Sequence, residues 1–245
     1  MNIATYNILK GGSRRVHWIK MIEEQAVDLL LLQESYGHHE HLPPLLYPHA
    51  LNQSVWETVE GNGWGSAIFS RTGSVKPITV PGFAGWAVGA EISGADWQTG
   101  LADPLIAFSV HAPSRGDTYA NQVNKLLDAI KHVAGQQEFI VGGDFNLTVS
   151  NGCDSRRPVS KQDLAIQKRL ADEFNLLNCW QAANPNQLLQ QTLRWSRDRT
   201  IPYHCDGIFV PESWHDRLRS CVILTGDEWN RLSDHNPVVA RFKSK

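Results

Sequence analysis

Residues 28–34 read Asp-Leu-Leu-Leu-Leu-Gln-Glu, and this is the strongest structural signal in the chain. An unbroken apolar run of this length is typical of a strand that is buried on both faces. The run ends at Glu34, and a carboxylate beside a buried strand is costly unless it is paired or binds a metal. The stretch therefore predicts a sheet covered on both sides and a candidate functional residue at its end.

The rest of the chain alternates strands and helices early and is dominated by strands later. Apolar patterning predicts helices over residues 13–26, 118–133 and 162–174. We read residues 35–62 as loop, because they are polar and carry His and Pro. Further strands are predicted over residues 2–8, 64–70, 84–92, 105–111, 138–142, 192–195, 204–210, 218–224 and 237–242. This order favours an α/β fold in which two mixed sheets pack face to face with helices outside.

Composition is that of an ordinary globular protein. The 245 residues are 42% hydrophobic and 20% charged, without a long linker or repeat, so we expect a single domain over residues 1–245. Net charge is −2; residues 1–150 hold 9 Lys and Arg against 14 Asp and Glu, and residues 151–245 hold 14 against 11. This mild asymmetry permits a basic rim in the second half but does not define a nucleic-acid groove.

The cysteine pattern and the lack of long apolar runs indicate the expected compartment. The four cysteines are far apart with no CxxC pair, so we expect free thiols and no zinc knuckle. No apolar run approaches the roughly 20 residues that a membrane span needs, and no signal peptide is visible. The expectation is a cytoplasmic protein without a membrane span, and no protein partner is indicated.

Polar side chains follow the predicted strands at their ends. They are Asn7, Glu34, His111, Asp144 with Asn146, Asp206, and Asp234 with His235. Strand ends at one rim of a sheet sandwich converge in space, so these groups are expected to form one site on a rigid scaffold.

These residue types suit the hydrolysis of a phosphodiester. Carboxylate and amide oxygens of Glu34 and Asn7 are the ligands that Mg²⁺ prefers. In GGDFN (142–146), the glycines allow a tight turn, and Asp144 either accepts a proton from water or binds a metal. His235 titrates near neutral pH and suits acid–base work, and Asp206 is placed to fix its tautomer.

Six motifs in order extend this reading to nearly the whole chain. TYN (5–7), QE (33–34), SVHAPS (109–114), GGDFN (142–146), HCDGIF (204–209) and SDHNP (233–237) resemble the motifs of the endonuclease/exonuclease/phosphatase superfamily. That superfamily includes pancreatic deoxyribonuclease, abasic-site endonucleases, sphingomyelinases and inositol-polyphosphate phosphatases. The resemblance implies a four-layered α/β sandwich and a phosphoesterase that depends on Mg²⁺ or Mn²⁺.

The resemblance also implies a role for each matching residue. Glu34 is the principal metal carboxylate, supported by Asn7 and Asp234. Asp144 activates or orients the attacking water. Asn146 and His111 contact the scissile phosphate, while His235 stabilises or protonates it and Asp206 orients His235.

Two departures bear on the substrate. Leu9 stands where abasic-site endonucleases usually carry an acidic residue, and His111 stands where they commonly have Tyr. The HAP form (111–113) is closer to the deoxyribonuclease and sphingomyelinase branches, which puts abasic-site specificity in doubt. The expected function is a phosphodiesterase acting on nucleic acid. A phosphatase or phosphodiesterase acting on a phospholipid or inositol-phosphate head group is the alternative, followed by a catalytically inactive binding module.

Several other features have competing readings. Trp195 and Trp229 either line a substrate wall or simply pack. The arginines at 194, 197 and 199 are either a solvated loop or a clamp on a second phosphate. We read the histidine-rich segment 38–41 as ordinary loop rather than a metal site, and the glycines at 61, 63 and 65 as a turn rather than a phosphate loop.

Overall fold

A computed structural model describes residues 1–11, 15–98, 104–153, 159–195, 197–198, 200–201 and 203–243. Within these ranges the chain forms twelve strands, arranged as two six-stranded sheets. The strands are β1 Asn2–Asn7, β2 Leu29–Ser35, β3 Ser54–Thr58, β4 Gly65–Ser70, β5 Ser74–Thr79, β6 Ala87–Ser93, β7 Leu105–His111, β8 Phe139–Asp144, β9 Leu176–Asn178, β10 Asp206–Pro211, β11 Leu218–Ile223 and β12 Val238–Phe242.

Both sheets are mixed. The first has the order β11-β12-β1-β2-β4-β3, with β1 and β2 parallel and the other pairs antiparallel. The second has the order β5-β6-β7-β8-β10-β9, with only β7 and β8 parallel. A parallel pair brings the carboxyl ends of its two strands to one edge, and each sheet contains one such pair.

The leucines of β2 show how the layers are assembled. Leu29 and Leu31 pack in the core between the two sheets, together with Ala107 and Ile140 of the second sheet. Leu30 and Leu32 point to the opposite face of β2 and pack in the cluster that covers the outer face of the first sheet. All of these side chains are fully buried, so the predicted strand with two covered faces is confirmed. The α/β class with face-to-face sheets is confirmed as well.

The outer face of the second sheet is covered by two regular helices, α2 Tyr119–Ala134 and α3 Lys161–Asp172. Thr118 caps α2 by accepting a hydrogen bond from the Asn121 amide at 3.2 Å, and Ser160 caps α3 in the same way. Val123 and Leu126 of α2 are fully buried against this sheet. Two short helices, α4 Cys179–Ala183 and α5 Asp227–Asn230, follow later in the chain.

The helix predicted over residues 13–26 is wrong in its length and regularity. The chain instead forms a short helix α1, His17–Ile19, which continues as a π-helical turn over Lys20–Glu24. Ala26, predicted to face inward, is exposed at a left-handed φ of 50° after the helix has ended. Residues 12–14, including the predicted cap Ser13, lie outside the described residues. Trp18 and Met21 still pack on the outer face of the first sheet.

Four strand predictions need correction, one of them the short edge strand β9, which the sequence did not predict. Residues 35–62 are not all loop, because β3 lies within them at the edge of the first sheet. Strand β5 was missed because Pro77 interrupts its pattern; it is an edge strand, where a proline costs no ladder hydrogen bond. Residues 192–195 do not form a strand, and Leu193 makes only isolated bridges to Tyr203 and His235.

No helix in the described part of the chain is long and apolar enough to cross a membrane. The four cysteines are free thiols, of which Cys153 is exposed and the others are buried.

Candidate active site

Sheet register brings the predicted residues to one edge. Asn7 ends β1, and Glu34 lies near the end of the parallel neighbour β2. In the second sheet His111 is paired with Asp144 at the ends of the parallel strands β7 and β8. Asp206 begins the antiparallel strand β10 directly opposite Asp144. The two sheets therefore present these side chains at the same rim.

Asp144 is the centre of the cluster. One of its carboxylate oxygens lies 3.1 Å from the Asn7 amide nitrogen, 3.6 Å from His235 Nε2 and 3.7 Å from His111 Nε2. The other oxygen accepts the backbone N–H of Asn146 at 2.9 Å. Burial alone would raise the pKa of Asp144, but the two histidines and these hydrogen bonds lower it below its usual value. The carboxylate is therefore ionised at neutral pH and remains an acceptor for a proton.

His235 is held by a second buried carboxylate. Its Nδ1 lies 2.9 Å and 3.1 Å from the two oxygens of Asp206, which directs Nε2 toward Asp144. Burial works to lower the pKa of His235, but the carboxylates of Asp206 and Asp144 outweigh it and raise the pKa to about 10. The imidazole is thus protonated at neutral pH, with its Nδ1 proton fixed by Asp206.

The buried set of Asp144, Cys205, Asp206 and His235 has the spacing of a metal site. Its chemistry argues against that reading. Burial and the neighbouring carboxylates raise the pKa of the Cys205 thiol well above its usual value, so the thiol stays protonated and ligates metals poorly. The oxygens of Asp206 are already engaged by His235. We therefore interpret this set as a hydrogen-bonded relay.

Glu34 offers a more open carboxylate. It has a left-handed φ of 49°, which is uncommon for a residue with a side chain and marks a constrained position. Its side chain is 18% exposed, and one oxygen lies 3.5 Å from the Asn7 amide nitrogen and 4.0 Å from His111 Nε2. This oxygen has no strong cation partner among the described residues, so it is available to an ion from solvent.

Asn146 shares this strained character, with a φ of 54° in the turn after β8. Its side-chain amide donates to the Ala112 carbonyl at 3.0 Å. That bond uses one of the two amide protons and connects the turn to the loop that follows His111. Asn146 therefore ties together the two strand ends that carry Asp144 and His111.

Asp234 is less closely tied to the cluster. The contact of its carboxylate in the described structure is to the Ser233 hydroxyl at 3.5 Å, and it lines a shallow surface cavity with Leu9 and Arg194. No described contact joins this carboxylate to Glu34. Its predicted support of the metal remains a prediction.

The basic loop has a structural explanation for one of its three arginines. The Arg194 guanidinium binds the side-chain oxygen of Asn236 and the carbonyl of Ser233, and so supports the segment that carries His235. Arg197 is exposed and lies over the half-buried ring of Trp195. Arg199 lies outside the described residues. Trp229 is buried against Tyr6 in the outer core of the first sheet, so it does not line a substrate wall.

The histidine-rich segment 38–41 and the glycines of the turn at 61–65 also have local structural explanations. His41 is buried and stacked on Trp18, and burial lowers its pKa to about 4. His38 lies 3.1 Å from the Ser54 hydroxyl. Gly61 has a φ of 75° in the turn between β3 and β4, as expected for a turn glycine.

Sequence reasoning missed two hydroxyl residues that shape the site. Ser233 donates to the Asn7 carbonyl at 2.7 Å and accepts the His235 amide at 3.1 Å, so it joins the two sheet-end segments. The Thr192 hydroxyl accepts the backbone N–H groups of Cys205 and Asp206. Ser233 lies in the SDH motif and was visible there, whereas nothing in the sequence singled out Thr192. It also missed Trp64 and Trp86, whose rings lie 5.8 Å and 5.1 Å from that of His111.

The comparisons agree with this geometry. The model of the Endonuclease/Exonuclease/phosphatase family matches residues 4–235, and the chain belongs to that family. It is thereby a member of a group of hydrolases that act on phosphoester bonds and typically depend on a divalent metal. The resemblance inferred from the six motifs is confirmed.

Solved structures share the fold at low sequence identity. An AP endonuclease from Archaeoglobus fulgidus is 18% identical, with 99% of each chain covered and a TM-score of 0.72. The 3′ phosphatase NExo from Neisseria, bound to product DNA hairpin, is 18% identical over 99% of each chain with a TM-score of 0.71. The endonuclease domain of TRAS1, a telomere-specific non-LTR retrotransposon, is 15% identical, with 99% of this chain and 98% of that chain covered and a TM-score of 0.65.

A curated relative is the Transposon TX1 uncharacterized 149 kDa protein of Xenopus laevis, which is 25% identical over 136 residues. The match covers 55% of this chain but only 10% of that much longer protein.

Proposed function

We propose that the chain is a divalent-metal-dependent phosphodiesterase that hydrolyses a P–O bond of nucleic acid. The observation that carries the proposal is the buried chain of Asp206, His235 and Asp144, with contacts of 2.9 Å and 3.6 Å, at the rim where Glu34 and Asn7 also lie. A protonated imidazole beside an ionised carboxylate supplies both a positive charge for a phosphoryl oxygen and an acceptor for a proton.

The donor set at this rim fits a hard divalent cation. Glu34 contributes a partly exposed carboxylate, an oxygen ligand of the kind Mg²⁺ and Mn²⁺ take in small numbers. The Asn7 amide nitrogen faces Glu34 and its oxygen accepts the Leu9 N–H at 3.1 Å, so Asn7 would offer its oxygen to the ion after its amide turns over. Asp234 is the third residue proposed to support the ion. When bound, the ion would neutralise charge on the phosphoryl and leaving oxygens.

The chain's own residues would share the remaining chemistry. Asp144 orients the attacking water and accepts its proton as the new P–O bond forms. His235 donates a hydrogen bond from Nε2 to a phosphoryl oxygen and stabilises its charge as the bond to the leaving oxygen breaks. His111 and Asn146 contact the scissile phosphate from the loop side, and Asp206 keeps His235 in its orientation.

Nucleic acid is favoured as the substrate by the structural relatives. These relatives are an AP endonuclease, a phosphatase bound to a product DNA hairpin and a retrotransposon endonuclease domain. At identities of 18% or less these proteins share the fold, and their substrates support the proposal only by analogy.

A phospholipid or inositol-phosphate head group is the second candidate. One observation favours it, because Leu45, Leu46 and Leu51 are 97%, 73% and 73% exposed. The segment that carries them ends at Gln53, whose carbonyl accepts the Ser70 amide at the end of β4 remote from Gly65 and Glu34. The segment that carries the exposed leucines therefore joins the sheet at the end opposite the catalytic rim. An inactive binding module is the third candidate, and the presence of Glu34, Asp144 and His235 speaks against it.

The test is hydrolysis of bis-p-nitrophenyl phosphate and p-nitrophenyl phosphate with Mg²⁺, Mn²⁺ or EDTA. The proposal predicts metal-dependent cleavage of the diester, lost in His235→Ala and retained in His215→Ala, whose histidine is exposed and remote in the fold. Diester cleavage that survives EDTA, or that survives His235→Ala, would refute it.

A further inference from the structure

Two tryptophans stand against the active-site histidine. The Trp64 and Trp86 ring centroids lie 5.8 Å and 5.1 Å from that of His111, and 5.6 Å from each other in an edge-to-face arrangement. Both rings are half-buried, so each keeps part of its surface toward solvent. Aromatic rings that serve only the core would be covered more fully, as Trp18 and Trp180 are here.

The backbone holds this pair in place. Trp64 closes the β3–β4 hairpin, where its carbonyl accepts the Val59 amide at 2.9 Å. The Trp86 carbonyl accepts both the His111 amide at 2.7 Å and the Ser66 hydroxyl at 3.1 Å. Gly85 allows the two loops to touch, because a Cβ there would lie 2.1 Å from the Val59 nitrogen. The backbone of Trp86 is thus tied directly to that of His111, and the two rings lie 5.1 Å apart.

A cationic side chain lies over the ring of each tryptophan. The Lys10 ammonium lies 5.6 Å from the centroid of Trp64, and the Arg115 guanidinium lies 5.2 Å from the centroid of Trp86. Both cationic residues are exposed, and neither has a carboxylate within 4.0 Å in the described part of the chain. Two unpaired cations beside partly exposed rings match a ligand that combines flat bases with phosphates.

We infer that Trp64, Trp86, Lys10 and Arg115 form a subsite for the nucleotide next to the scissile phosphate. This inference rests on the proposed function, which it deepens by naming the residues that contact the base. The base stacks on the exposed part of the tryptophan pair, and the two cations leave the rings to pair with flanking phosphates. The subsite is sequence-tolerant, because every base has a face that stacks.

The test is binding of a fluorescent single-stranded DNA oligonucleotide, followed by anisotropy. The His235→Ala background with Mg²⁺ is used so that the strand stays intact. A second oligonucleotide of the same length has a sugar–phosphate backbone without bases. Stacking predicts that Trp64→Leu weakens binding of the first strand by about tenfold and leaves binding of the baseless strand unchanged.

Two controls separate stacking from other effects. Trp97→Leu removes a half-buried tryptophan that donates to Ser70 at the opposite end of β4, and it should alter neither affinity. Lys10→Ala and Arg115→Ala should weaken both strands equally and lower the slope of binding against salt concentration. Circular dichroism of each variant checks that the fold is retained.

The subsite would be overturned if Trp64→Leu weakened binding of both strands equally or of neither. It would also be overturned if the His235→Ala protein with both tryptophans bound neither strand. Cleavage of the intact DNA by the His235-containing protein is measured in parallel. Cleavage with normal binding by Trp64→Leu would reject the subsite and keep the proposed function. Base-dependent binding without cleavage would keep the subsite and reject the proposed function.

Discussion

His235 Nδ1 lies 2.9 Å from a carboxylate oxygen of Asp206, and both side chains are buried. The strands that carry Asp206 and Asp144 meet at this point, because the two residues are paired across β10 and β8. The arrangement resembles the general pattern in which a carboxylate orients a histidine that acts on substrate through its other nitrogen.

Replacing Asp206 tests this relationship. The pKa of His235 is raised to about 10 by Asp206 together with Asp144, so in Asp206→Asn one of these carboxylates is lost and that pKa falls. If the protonated imidazole is the active form, activity is lost as pH rises through its pKa, and the alkaline limb of the pH–rate profile moves to lower pH. We also expect kcat to fall about 10²–10⁴-fold because the imidazole loses its orientation. Asp172→Asn, on the exposed surface of α3, is the matched control. An unchanged profile would contradict the assignment.

Glu34 is expected to lower the stability of the fold slightly while its carboxylate serves the reaction. Its φ of 49° is strained for any residue with a Cβ and unstrained for glycine. We expect Glu34→Gly to leave the free energy of unfolding unchanged or raise it by up to about 1 kcal/mol, while it abolishes metal-stimulated turnover. Glu34→Ala should lose the same activity without the gain in stability. Urea unfolding and diester hydrolysis measure the two effects, and retained turnover in either variant would remove Glu34 from the mechanism.

Gly143 is required by the approach of two strands. A Cβ at this position would lie 1.8 Å from the Val110 carbonyl oxygen on the parallel strand β7. Gly143→Ala should separate β7 from β8, destabilise the protein by about 1–3 kcal/mol and displace the adjacent Asp144, so activity falls further than stability. Gly116→Ala is the comparison, because nothing lies within 4 Å there and only its φ of 62° is strained. Equal losses in the two variants would show that backbone strain, rather than the strand contact, governs position 143.

His204 should make the protein sensitive to mild acid. Burial lowers its pKa to about 4, although the Gln190 carbonyl 2.8 Å from Nδ1 acts in the opposite direction. The unfolded chain, with a pKa near 6.5, binds a proton first as pH falls, so stability declines from about pH 6.5 to 4, by about 3 kcal/mol for this group. His204→Gln should reduce that decline without removing it, because His41 also has a lowered pKa of about 4. Chemical denaturation at pH 7.5 and 4.5 tests it; an identical loss in both proteins would contradict the account.

The sequence predicted those parts of the fold that depend on local patterning. The two covered faces of β2 follow directly from its unbroken leucines, and the capped helix α2 follows from its apolar period. Strands β3, β5 and the short β9 were missed because edge strands are partly exposed and tolerate polar residues and Pro77. The irregular start of the chain was missed because left-handed residues such as Lys10 leave no pattern.

The candidate site residues could be proposed because each lies at or near a strand end, and strand ends can be predicted from one sequence. The tryptophans beside His111 were missed for a different reason. Trp64 and Trp86 meet only because Gly85 allows two loops to touch, and a contact between loops has no signature in hydrophobic periodicity. The role of Arg194 in supporting the segment of His235 also depends on tertiary contacts.

The most direct test of the central claim is cleavage of a single-stranded DNA oligonucleotide by the wild-type chain and by Asp144→Asn, each with Mg²⁺ and with EDTA. Asp144→Asn preserves the shape of the side chain and removes the proton acceptor at the centre of the cluster. The account predicts cleavage by the wild type that stops in EDTA and falls at least about 10²-fold in the variant. Equal cleavage by the variant, or cleavage that persists in EDTA, would contradict it.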